Sequence, residues 1–264
     1  MICPAFSGSQ TPVFSAQKKE NEMLTNELIL ILTLLVEYSA VVVCYRLLGE
    51  HGLYMWIALA TIAANIEVLI LVRAFGMEMT LGNILFASTF LVTDIVSEIY
   101  GKEDSKRAVR IGIATSLCFV VISSSWLLYT PSSGDFAMPA IRTVFSHTPR
   151  LMAASLAVYV IVQFFDVWLY HKWWSFTEKR FHDRDSFLWL RNNGSTLVSQ
   201  LLNTVLYPLF AFAGTYPAGT LVSIMISSYV IFIVTSLADT PFVYLCRRIS
   251  RRQTAAGQTA ESEA

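Results

Sequence analysis

Charge is what this sequence has least of. Only 14% of its 264 residues are Asp, Glu, Lys or Arg, where a soluble domain carries about a quarter, and 55% are hydrophobic. Mean hydropathy is correspondingly high, at +0.54. A formal net charge of zero leaves no global basic field, so no nucleic-acid partner is expected. The four cysteines (Cys3, Cys44, Cys118, Cys246) show no paired spacing and fit neither a zinc site nor a disulfide framework. Small apolar filler is the role expected of them. The four histidines, His51, His147, His171 and His182, fall in expected loops or at helix ends, without metal-ligand spacing. There is no nucleophile elbow and no phosphate loop. These absences exclude a soluble enzyme, and neither a cofactor nor a metal is expected.

What the chain does have is long apolar runs, and they predict an all-α integral membrane protein embedded in the lipid bilayer. A span needs roughly 20 mostly apolar residues. Seven stretches qualify, near Leu28–Leu48, Leu53–Val72, Leu81–Tyr100, Ala108–Tyr129, Leu151–Tyr170, Ser195–Phe212 and Gly219–Leu245. Residues 1–27 read as a disordered N-terminal extension, because the first 22 are rich in Ser, Gln, Lys and Pro and cannot pack a core. Residues 28–248 form the membrane domain and 249–264 a disordered cytoplasmic tail. The first apolar run is too long for a signal-peptide core and contains Glu37, so cleavage is not expected. Pro241 should kink the last span or start its final turn.

Basic residues orient the spans. Five lie on one side (Lys18, Lys19, Arg73, Arg142, Arg150) and fourteen on the other, including Lys102, Lys106, Lys172, Arg191 and Arg247. Cytoplasmic loops carry the excess of Lys and Arg, so the N-terminus is expected outside and the C-terminus in the cytoplasm.

The spans also hold six acids: Glu37, Glu67, Asp94, Glu98, Asp166 and Asp239. A charged side chain at bilayer depth costs a few kcal/mol on the lenient insertion scales, so such residues mark function. No Lys or Arg is expected deep enough to neutralise them. Asp94 and Glu98 stand four apart and share a helical face, as do Gln163 with Asp166 and Gln200 with Asn203. In the orientation above, four spans place acceptors at one level of the cytoplasmic half. Polar glue between helices accounts for Ser123-Ser124-Ser125 but poorly for several carboxylates, each of which needs a proton, a cation or a donor-rich ligand. A hydrophilic cavity follows, suited to a donor-rich or cationic solute. Phe164, Phe165, Trp168, Tyr170, Trp173, Trp174 and Tyr207 crowd the same half, where aromatic faces can stack a planar heterocycle. Trp173 and Trp174, beside Lys172, read first as an interfacial belt rather than as a stacking pair. An acid reading the ring N–H and exocyclic amine of a guanine-like edge would combine both features.

Several ordered motifs then match a known pattern. Asn65-Ile66-Glu67, Phe75-Gly76, Leu81-Gly82-Asn83, Thr93-Asp94, Ser97-Glu98 and Tyr100-Gly101-Lys102 resemble the queuosine precursor transporter family, also called the vitamin uptake transporter family. So do Gln163-x-x-Asp166, Trp189-Leu190-Arg191-Asn192-Asn193 with Ser195-Thr196, Ser199-Gln200, and Asp239-Thr240-Pro241-Phe242 followed by Tyr244. The resemblance covers about Ile57 to Arg248. It implies bacterial inner-membrane import of 7-deazaguanine precursors of the tRNA nucleoside queuosine, such as preQ0, preQ1 or queuine. It also implies a six-helix core like the substrate-binding components of energy-coupling-factor importers, to which Leu28–Leu48 adds an extra N-terminal helix. The substrate-binding residues it suggests are Asn65, Glu67, Asp94, Glu98, Gln163, Asp166, Asn192, Gln200, Asn203 and Asp239. Where Asn203 stands the family usually carries Asp, and where Phe232 and Ile70 stand, Lys. A homo-oligomer and importer partner subunits both stay open. So does a substrate-capture subunit of an ATP-driven importer, which would need partner chains because no Walker motif is present. A membrane-embedded enzyme or sensor is the remaining alternative, although the signature of an intramembrane aspartyl protease is absent at Asp239.

Overall fold

A computed structural model describes residues 12–146, 149–181, 187–212, 214 and 217–262. In chain order the elements are α1 (Pro12–Leu48), α2 (Glu50–Glu67), β1 (Leu71–Ala74), β2 (Met77–Thr80), α3 (Gly82–Ile99), α4 (Lys102–Trp126), α5 (Met138–Ser146), α6 (Pro149–Phe181), α7 (Leu188–Phe212) and α8 (Ala218–Ser262). Residues 1–11, with Cys3, His147 and His182, lie outside the described residues.

The bundle is built around α3. Every residue from Ala87 to Ser97 is buried, as expected of a helix apolar on all sides that is surrounded by others. Its small hydroxyls pose no problem there, since Ser88, Thr89 and Thr93 donate to carbonyls three or four residues back. On one side Tyr38, Val41 and Tyr45 of α1, Leu53 and Ile57 of α2, and Val243 of α8 close against Leu91, Val92 and Ile95. On the other, Phe90 packs with Val158 and Val162 of α6, backed by Leu202 and Leu206 of α7. The outer surface is apolar instead, with Leu28, Leu32 and Val36 of α1 and Val222, Ile226, Val230 and Val234 of α8 all exposed. Polar inside and apolar outside is the arrangement of a protein whose solvent is lipid.

Among the described residues, six helices are long and apolar enough to cross a membrane: Thr25–Leu48, Gly82–Ile99, Lys102–Trp126, Ala153–Phe181, Leu188–Phe212 and Ala218–Ala255. The expected span at Leu53–Val72 is not among them, because α2 starts at Glu50 and stops at Glu67. It nevertheless traverses the bundle. Gly49, at φ 59°, turns the chain in one residue at the Leu48 end of α1. At the far end, the Asn26 amide donates to the carbonyl of Arg73 (3.1 Å) and the Phe75 N–H to Glu27 Oε1 (2.8 Å).

Residues 68–80 were read as the end of a span and a polar break. They form an antiparallel β-hairpin, pairing Leu71 with Thr80 and Ala74 with Met77 across Phe75-Gly76. Both turn residues have positive φ, 54° and 72°, the sense that fits the right-handed twist of the strands. Helix also extends past the composition-based boundaries. α1 starts at Pro12, inside the stretch read as disordered, and α8 continues through Pro241 to Ser262, so Pro241 lies well inside the helix rather than in its final turn and the tail is not wholly irregular.

Candidate functional site

The site is assembled on α7. Residues 191–194 fall between the expected spans Leu151–Tyr170 and Ser195–Phe212, as so polar a run ordinarily would. Instead the helix starts at Leu188, and Arg191, Asn192, Ser195, Thr196, Ser199, Gln200 and Asn203 recur every three or four residues as one buried stripe. A polar face is tolerated in the bundle interior because the facing helices α3, α6 and α8 each present a carboxylate.

Three aspartates meet that stripe. The Thr196 hydroxyl donates to Asp94 Oδ2 of α3 at 3.0 Å, and Ser199 Oγ lies 2.6 Å from Asp166 Oδ1 of α6. Asn192 Nδ2 donates to Asp239 Oδ1 of α8 at 2.7 Å. Asn193 reaches Thr240 Oγ1 at 2.7 Å and accepts from Ser236 at 3.3 Å, so α8 is stitched to α7 on both sides of Asp239. All three carboxylates are buried, and Asp94 lies within electrostatic range of both Asp166 and Asp239. Asp94 and Asp166 are each held by one neighbour only in part. Asp94 Oδ1, Asp166 Oδ2 and Asn192 Oδ1 are buried with no hydrogen-bond partner among the described residues. The centre of the bundle therefore carries acceptors that lack donors, which a donor-bearing solute can complete.

Glu98 behaves differently from the other acids. It shares a face with Asp94, one turn further along α3, but it is fully engaged. Arg191 grips it in a fork, Nε to Oε2 at 2.9 Å and Nη2 to Oε1 at 2.6 Å. Tyr170 of α6 donates to Oε2 at 2.8 Å, and Arg247 Nε of α8 lies 3.2 Å from Oε1. The indole of Trp174 covers the Arg191 guanidinium, 4.4 Å from the ring centroid. The expectation that no base reaches the buried acids is thus corrected at Glu98. Arg191 belongs to the first turn of a helix rather than to a loop, and the long side chain of Arg247 reaches inward from the bundle end.

The remaining candidates divide. Gln163 joins the group from α6, its Nε2 donating to Thr89 Oγ1 at 2.7 Å. Gln200 and Asn203 pair with each other at 3.2 Å. Asn203 lies further along α7, where it lines a small cavity of about 50 Å³ with Asn83, Phe86, Tyr207 and Phe232. Asn65 donates to the carbonyl of Thr61 in its own helix (2.6 Å), and Glu67 faces Glu37 of α1. Neither contacts the aspartate group. Sequence reading left Arg191, Thr196 and Ser199 out of the binding set and gave Tyr170 only a stacking role. The three- and four-residue recurrence of polar residues from Arg191 to Asn203 is the signal that could have found the first three.

Residues 80–246, which include the three aspartates with their partners and Glu98 with Arg191 and Tyr170 but not Arg247, match the family described as "Putative vitamin uptake transporter". The chain is 35% identical over 215 residues to a protein of Bacillus subtilis (strain 168) named "Probable queuosine precursor transporter", a match covering 81% of this chain and 92% of that one. No solved structure matches the chain. A multi-pass helical bundle with a buried polar centre, aligned with these relatives over most of its length, belongs to the vitamin uptake transporter family, which is also the family of the queuosine precursor transporter.

Proposed function

We propose that this transporter imports a 7-deazaguanine precursor of queuosine (preQ0, preQ1 or queuine) across the bacterial inner membrane for salvage into tRNA. The observation that carries the reading is the set of buried acceptors without donors, Asp94 Oδ1, Asp166 Oδ2 and Asn192 Oδ1, gathered between α3, α6 and α7. A guanine-like edge brings a ring N–H and an exocyclic amine, which are the donors such a group lacks. The substrate-contacting set is then Asp94, Asp166, Asp239, Asn192 and Gln163, with Gln200 and Asn203 flanking it. Glu98 is left out because its acceptors are already taken. The orientation is N-terminus outside and C-terminus cytoplasmic. Even without Arg191 and Arg247, which serve Glu98, twelve basic residues oppose five.

Uptake by the purified protein in liposomes tests this, comparing preQ0, preQ1 and queuine with and without a proton gradient. Accumulation of at least one of them supports a self-sufficient carrier. Binding without uptake favours the alternative of a substrate-capture subunit, with a fold like those of energy-coupling-factor importers and a need for partner subunits. Absence of both binding and uptake for all three bases would refute the substrate assignment. A reporter fused after Arg252 should be active only in the cytoplasm, and one inserted between Pro131 and Pro149 only in the periplasm.

A further inference from the structure

The polar groups lie in layers. Along α3, Asp94 is followed one turn later by Glu98 and then by Gly101. Along α6, Asp166 is followed at the same spacing by Tyr170 and then by Trp174. The first layer is the aspartate group. The second is the Glu98 cluster, which joins α3, α6, α7 and α8 through Tyr170, Arg191 and Arg247. In the third layer lies a cavity of about 410 Å³, between the start of α4 and the end of α6. Its walls include Gly101, Lys102, Trp168, Lys172, Trp174 and Ser175. Trp174 belongs to both layers, with its ring over the Arg191 guanidinium and also forming cavity wall. One sheet of side chains therefore separates the solute-binding acids from a roomy cavity on the Lys-rich face.

We propose that Glu98, Arg191, Arg247 and Tyr170 are the closed inner gate of the transport path, and that the cavity beneath Trp174 is the vestibule into which the solute leaves. The inference rests on the protein being a transporter and not on which base it carries. A buried ion pair contributes little net stability against an apolar pair of the same shape, so its best use here is as a contact with two states. Closed, the Arg191 fork, the Tyr170 hydroxyl and Arg247 hold α3, α6, α7 and α8 together at Glu98. Open, Glu98 and both arginines face the water of the vestibule, where their charges are solvated at little cost. Trp168 and Trp174 offer flat apolar walls to a departing heterocycle. The same geometry explains why Glu98, unlike Asp94 and Asp166, has no acceptor to spare.

Thiol accessibility tests the gate. With the four native cysteines replaced, single cysteines are placed at Ser175, in the vestibule wall, and at Ser199, in the aspartate layer. A membrane-impermeant maleimide is applied to the face that carries Lys102 and Lys172. Ser175→Cys should react readily and Ser199→Cys at least tenfold more slowly. Adding Arg191→Gln should raise the Ser199→Cys rate at least tenfold and leave that of Ser175→Cys unchanged. Should Arg191→Gln fail to fold, Glu98→Gln with Arg191→Gln removes both buried charges and should open the path equally. Equal reaction at both sites in the intact gate would overturn the proposal. So would a Ser199→Cys rate that no gate substitution alters in a folded protein. Failure of every deazaguanine to bind would leave these labelling outcomes unaffected, so the two readings fall separately.

Discussion

Replacing Asp166 by Asn isolates what a single carboxylate does for the solute. The side chains are isosteric, and the amide oxygen can keep the Ser199 contact that the carboxylate makes at 2.6 Å. What changes is the second oxygen, which is buried without a partner and becomes an NH₂ donor. A solute presenting an N–H there loses one hydrogen bond to a charged acceptor, about 1.5–3 kcal/mol. At 1.4 kcal/mol per tenfold, that is about 10- to 150-fold in affinity. Stability should move little, because a buried carboxylate with no basic partner is exchanged for a neutral group that is cheaper to desolvate. Equilibrium binding of radiolabelled preQ1 to detergent-solubilised protein, paired with a thermal melt of the same sample, separates the two effects. The expected outcome is a folded protein with a melting point at or above the wild-type value, weakened binding, and no restoration of queuosine in a strain that depends on imported precursor. Wild-type affinity in a folded Asp166→Asn protein would refute the assignment of Asp166 as a solute ligand.

Arg191→Gln leaves Glu98 buried with its fork removed and should destabilise the fold by about 3–5 kcal/mol, whereas Glu98→Gln with Arg191→Gln should recover much of the loss; denaturation of single and double variants gives the coupling energy. At Gly52 an added Cβ would overlap the backbone carbonyl of Cys44 where α1 and α2 cross, so Gly52→Ala should cost about 1–3 kcal/mol, against less than about 0.5 kcal/mol for Gly134→Ala in open space, as read by chemical denaturation. Phe232→Lys alone should impair binding, because an ammonium buried beside Asn203 has no partner, and the further change Asn203→Asp should restore part of it, the two positions lining one cavity. Strictly additive effects in the binding cycle would show that they do not act on each other.

The division between what was legible in the residues and what was not follows from locality. Hydropathy is a local sum, so the membrane class and the long helices α1, α4, α6 and α8 were readable, as were the buried acids, conspicuous because charge at bilayer depth is costly. The family could be read from ordered motifs such as Thr93-Asp94 and Asp239-Thr240-Pro241. The hairpin at Leu71–Thr80 was hidden because four-residue strands inside an apolar run look like the end of a span. The fate of each acid could not be read locally at all. Asp94 and Glu98 are the same kind of residue on the same face of the same helix. Only the packing of α7 and α8 against α3 gives Glu98 two arginines and a tyrosine while Asp94 receives a single threonine. Arg191, ninety-three positions away in the chain, looked like a loop cation until a helix carried it into the bundle. By itself the sequence determined that this is a membrane bundle with costly acids at its centre. The tertiary structure alone decided which of those acids is neutralised and which keep acceptors open, because desolvation and ion pairing depend on neighbours in space rather than along the chain.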